Sequence, residues 1–73
     1  MNFEEHIEIN TSKRFGKPTI IDTRISVADV LNWLANGMSN EDIIQDFPEI
    51  TKENIKVCLL YAASKEGQLG IAS

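Results

Sequence analysis

The feature that most constrains this chain is its punctuation. Ser26 stands three residues before Asp29, Ser39 three before Asp42, and Thr51 opens a further apolar-periodic stretch. A short hydroxyl side chain ahead of an acidic third residue satisfies free amides at a helix start, so each of these positions predicts an N-terminus. Stop signals fall between them: Gly37 after Asn36, Pro48 after Phe47, and Gly67 with Gly70 at the far end. Glycine admits the left-handed turn that ends many helices, and proline cannot continue one. Three short helices in succession are therefore written into residues 26 to about 66.

The apolar spacing agrees. Val27, Val30, Leu31 and Leu34 follow at i, i+3, i+4 and i+7, a single helical stripe. Ile43, Ile44 and Phe47 give the short second helix its apolar face. The third helix carries Ile55, Cys58, Leu59 and Ala62 on one stripe and Val57, Leu60, Tyr61 and Ser64 on a second. Upstream, Ile7 and Ile9 alternate with His6, Glu8 and Asn10, and Phe3 precedes them, so the first ten residues read as a short strand with one buried face. Residues 19 to 25 (TIIDTRI) are rich in β-branched side chains and read as a second strand. Thr11 to Pro18 (TSKRFGKP) forms the turn between them. The expected fold is mainly α with a short N-terminal β-hairpin: a hairpin arm over 1–25, a three-helix helix-turn-helix bundle of the homeodomain-like type over 26–66, and a short tail over 67–73.

Size and charge narrow the function. With 73 residues the chain makes one small domain, too small to enclose an ordinary substrate cleft and keep a core. Seven Lys and Arg face eleven Asp and Glu, a formal net charge of −4, which excludes binding nucleic acid by bulk charge alone. One Cys and one His exclude a disulfide framework and a one-chain structural zinc site. No apolar run approaches the ~20 residues that span a bilayer, and no signal-peptide pattern opens the chain, so a cytoplasmic setting is expected. His6 sits among Glu4, Glu5 and Glu8 near the start, Cys58 lies among apolar neighbours, and Glu41–Asp42 suits a helix start. None of these makes a catalytic set, and the expectation is a protein that is not an enzyme and uses no cofactor.

The second and third helices are joined by about four residues, Phe47 to Ile50, the layout of a helix-turn-helix whose second helix enters the major groove. Thr51, Lys52, Asn54 and Lys56 would then lie at the start of the recognition helix, with Asn54 suited to adenine and the lysines to phosphate or guanine. The same layout also serves as a plain helical scaffold, and residues 23–65 hold four cations against six carboxylates. Lys13, Arg14 and Lys17 form the one basic cluster, either a phosphate-gripping arm or a solvated turn. Arg24 has an ion-pair explanation with Asp22 or Asp29. Trp33 falls opposite the first helix's apolar stripe and either anchors an interface or packs on the hairpin. With Val57, Leu60 and Tyr61 it marks the expected dimer or partner surface.

The run from Gly16 to Ser64 resembles a small bacterial and archaeal family, domain of unknown function 433 (DUF433). The resemblance lies in Gly16-Lys17-Pro18, Thr23-Arg24-Ile25, residues 34–39 (LANGMS), Glu41-Asp42-Ile43, Phe47-Pro48 and Tyr61-Ala62-Ala63, and spans roughly two thirds of the chain. It implies a homeodomain-like domain with an N-terminal hairpin, often dimeric. It further implies an antitoxin of a type II toxin–antitoxin pair, VapB-like in role, that binds operator DNA as a homodimer and neutralises a PIN-like nuclease. Operator contacts would be Thr51, Lys52, Asn54 and Lys56, with Arg24 steadying the hairpin. The family pattern carries a basic residue and then Gly before Thr-Arg, where this chain has Ile21 and Asp22, and Pro where it has Ser26. Only Glu66 to Ser73 follow the third helix, so a toxin contact would use the folded surface or the hairpin. The competing expectation is a protein-interaction adaptor that binds no DNA.

Overall fold

The computed structural model describes residues 3–12 and 14–65. Lys13, the side chain of Arg14 and the expected tail over 67–73 lie outside the described residues, as does Glu66, where the bundle was expected to end. The chain is mainly helical, with a two-stranded antiparallel hairpin before three helices: β1 (Ile7–Ile9), β2 (Pro18–Ile20), α1 (Val27–Ala35), α2 (Asn40–Asp46) and α3 (Lys52–Lys65).

Each helix starts where the caps place it. Ser26 Oγ accepts from the Asp29 amide at 3.0 Å while Asp29 Oδ2 accepts from the Ser26 amide at 3.1 Å. Ser39 and Asp42 repeat the arrangement for α2, both bonds at 3.1 Å. At α3 the reciprocal partner is Asn54: its amide donates to Thr51 Oγ1 at 3.1 Å and its Oδ1 accepts from the Thr51 amide at 3.0 Å. The stop after α1 is equally local. Gly37 adopts φ 94°, and the amides of Gly37 and Met38 return to the carbonyls of Leu34 and Trp33 at 3.0 and 3.1 Å. This paired closure needs the left-handed residue that glycine supplies without strain.

The second strand is shorter than its β-branched composition implies. Pairing runs Ile7 to Ile20, Glu8 to Thr19 and Ile9 to Pro18, and the strand ends at Ile20. Beyond it the chain doubles back. The Ile20 carbonyl accepts from both the amide and the hydroxyl of Thr23, at 3.0 and 2.8 Å, and the Ile20 amide donates to Ile25 at 2.9 Å. Thr23 Oγ1 in turn accepts from the Ile25 amide at 3.0 Å. A buried threonine thus bridges a turn inside what local composition reads as strand. Asp22 takes φ 66° there, the left-handed region, at the position where the resembled pattern carries glycine.

Ile7, Ile20, Ile25, Val27, Val30, Ile43, Ile50, Ile55, Val57 and Cys58 form the core, with contributions from hairpin and helices alike. Expectations for four residues are corrected, and Ile50 joins the core without having been marked by periodicity. Ile9 shares the face of Ile7 by alternation yet is 62% exposed at the far end of the three-residue strand. Phe3 belongs not to the strand but to a single 3₁₀ turn, Phe3–Glu5, from which its ring meets Tyr61 edge-on at 5.6 Å. Leu59, placed on the core stripe of α3, is 49% exposed, while Val57, placed on the second stripe, is fully buried. Ile50, in the inter-helix connection, is also buried: the turn that lets its amide donate to Phe47 at 2.9 Å folds it inward.

Candidate nucleic-acid and partner surfaces

Two surfaces collect the residues with functional promise. The first is the start of α3. Thr51, Lys52 and Lys56 are exposed and Asn54 is half-buried. The side chains of Thr51 and Asn54 cap the helix, so their hydrogen-bonding capacity is partly committed to the backbone. Lys52 lies 3.6 Å from Glu41 of α2, with both side chains largely in water. Lys56 projects from the same exposed side of the helix, one turn on. Around them the charge is acidic: Glu41, Asp42, Asp46, Glu49 and Glu53 are all exposed, five carboxylates against two lysines over 40–56. A helix-turn-helix layout is present, and its outward face carries the sign of DNA rather than of its partner.

The second surface is the hairpin arm. Residues 10–21 hold three cations and no carboxylate. Of these cations Lys17 is exposed in the described chain. Beside it stands Phe15, 97% exposed and held at φ 59°, in the left-handed region. Sequence reasoning passed over this phenylalanine because it sits in a stretch read as a polar turn. Its signal was an aromatic residue between Arg14 and Gly16 with no apolar partner at helical or strand spacing. Arg24, exposed, lies in the tight turn between β2 and α1.

The expected interface residues fare differently. Val57 has no exposed surface and can present none to a partner. Trp33 is half-buried rather than free: its indole stacks on Phe47 with centroids 4.3 Å apart and rings 10° from parallel. The Gly37 turn folds α2 back so that Phe47 at its C-terminal end covers the face of α1 opposite the apolar stripe, where the sequence offered an interface or the hairpin as Trp33's partner. Tyr61 is half-buried between Phe3 and the Lys65 ammonium, which sits 5.5 Å from its ring centroid. Leu60 is half-buried, and Leu59 beside it is the exposed apolar residue of α3. Cys58 is buried, and burial pushes its thiol up to about 11. Among the described residues there is no group of three or more His, Cys, Asp or Glu placed to hold a metal, and no helix is long and apolar enough to cross a membrane.

The profile of the family described as "Protein of unknown function (DUF433)" matches residues 7–62, hairpin and all three helices together. The chain belongs to that family. A solved structure titled as a DUF433 member protein from Anabaena variabilis is similar to it, with a TM-score of 0.78 at 23% identity over 92% of this chain and 68% of that one. At that identity the likeness establishes the shared fold. No curated protein matches.

Proposed function

We propose that this DUF433 protein is the antitoxin of a type II toxin–antitoxin pair, and that it neutralises a PIN-like nuclease through the acidic surface of α2 and the start of α3. The observation that carries the reading is the exposed set Glu41, Asp42, Asp46, Glu49 and Glu53 on a rigid, capped pair of helices. An enzyme that grips nucleic acid needs a basic groove. Several exposed carboxylates carried on two capped helices and their connection complement such a groove and compete with the nucleic acid for it.

The test is co-expression with the nuclease encoded beside it, reading RNA cleavage by the purified pair. The wild-type protein should form a complex and suppress cleavage, and the double charge reversal Glu49→Lys/Glu53→Lys should weaken inhibition at least ten-fold. Inhibition untouched by that reversal, or no complex, would sink the reading.

A second activity, operator binding, is favoured by residues 10–21 of the arm, which hold three cations and no carboxylate. In this reading a homodimer contacts DNA through Lys17 and its neighbours together with Lys56, Lys52, Thr51, Asn54 and Arg24, and dimerisation doubles the contacts of a small module. The adaptor alternative, a protein that shields a partner and touches no DNA, shares the acidic face and parts from it here.

A further inference from the structure

We infer that Phe15 is the nucleic-acid-contacting tip of the arm, an aromatic wedge that inserts at a base step of duplex DNA while Lys17 meets the adjacent phosphate. The inference rests on the operator reading above and assigns it a residue and a mode of contact. Phe15 is 97% exposed, far more than any other large apolar side chain among the described residues. It also sits at φ 59°, where a bulky residue is disfavoured and glycine is relaxed. The fold itself gains nothing from the ring, since it contributes to neither the core nor the aromatic contacts of Trp33 and Tyr61.

Scale and charge decide between occupants. A stable protein interface needs on the order of 1,000 Å² and several anchors. One ring in a short loop offers far less, with Ile9, 62% exposed, the other exposed large apolar residue among the described residues of the arm. A single aromatic ring suffices, however, to stack on or wedge between bases, a contact that phenylalanine makes in many minor-groove binders. The surrounding charge agrees, because residues 10–21 carry no carboxylate to repel phosphate, and the remaining chain carries all eleven. A protein that is acidic elsewhere has in this arm its one segment of the sign DNA attracts.

The experiment measures binding of the full chain to two fluorescein-labelled probes, an alternating A·T duplex and a single strand of the same length, across a salt series. Variants are Phe15→Ala, Phe15→Gly and Lys17→Gln. Phe15→Ala should weaken duplex binding about ten-fold or more with an unchanged salt slope, and Lys17→Gln should lower that slope by about one. Phe15→Gly should bind as poorly while melting at a higher temperature than the wild type, which separates lost contact from lost fold. Equal duplex affinity for Phe15→Ala and the wild type would overturn the wedge and leave operator binding standing. No binding of the wild type to either probe would remove both. Tighter binding to the single strand, abolished in Phe15→Ala, would replace the duplex wedge by stacking on an unpaired base. Loss of the nuclease complex in Phe15→Ala with DNA binding intact would reassign the ring to the protein partner.

Discussion

At Cys58 the environment decides the chemistry of the residue. A thiol with no exposed surface keeps its proton because the thiolate would lie in an apolar interior, so its pKa rises from 9.0 to about 11. A group whose folded pKa lies above its unfolded one favours the folded state below the unfolded value. That advantage is lost as pH rises from about 9 through about 11. Stability should therefore fall over this window by about 2–3 kcal/mol from this group. Cys58→Ala should flatten that part of the pH profile in urea titrations, whatever its own cost in packing. Asp22 is the opposite kind of residue, exposed and strained in its backbone at φ 66°. Aspartate tolerates the left-handed region better than most side chains, and glycine tolerates it best. Asp22→Gly should raise the midpoint of thermal unfolding, by the equivalent of about 0.5–1 kcal/mol. A fall would mean that the carboxylate holds the turn together.

The helices are set by their ends and then matched by their faces. Capping boxes at Ser26 and Ser39 and the reciprocal Thr51–Asn54 pair need only contacts three residues apart, so they were readable in advance; Asn54, assigned to adenine by sequence, also serves the cap. Each such cap is worth about 1 kcal/mol. How α1 meets α2 was not readable, because the Trp33–Phe47 stack joins residues fourteen apart across a turn. Periodicity located the apolar stripe of α1 and left Trp33 outside it. The turn at Gly37 then brought a second helix to cover that side. Since Trp33 is the single tryptophan, its fluorescence reports this contact alone. Phe47→Ala should destabilise the protein by about 2–4 kcal/mol and shift the native emission to the red as the indole gains water. An unshifted spectrum would place the stack outside the folded core.

Across the whole molecule, charge and apolar surface are unevenly divided. The loop of the arm, residues 10–21, is basic and carries an exposed ring, whereas the helical body is acidic. The apolar residue left open on α3 is Leu59 beside half-buried Leu60, since Val57 has gone inward. If a homodimer forms, this is the surface of α3 it uses, and Leu59→Lys should convert dimer to monomer in sedimentation equilibrium without lowering the melting temperature. Trp33→Ala should instead unfold the chain, because its ring is a packing group.

What the amino-acid order settled by itself were the features that depend on near neighbours: three capped helices, the glycine and proline stops, the hairpin's existence, and enough of the family pattern to be recognised. A cap or a left-handed stop is chosen within about four residues, so the information is local. The tertiary structure alone decided which apolar residues face inward. Ile9 and Leu59 stayed out and Ile50 and Trp33 went in because burial depends on what another element brings to that side. It also decided that β2 stops at Ile20, where a buried Thr23 offers the backbone a turn in place of a strand, and that Phe15 stands alone in water at the end of the arm.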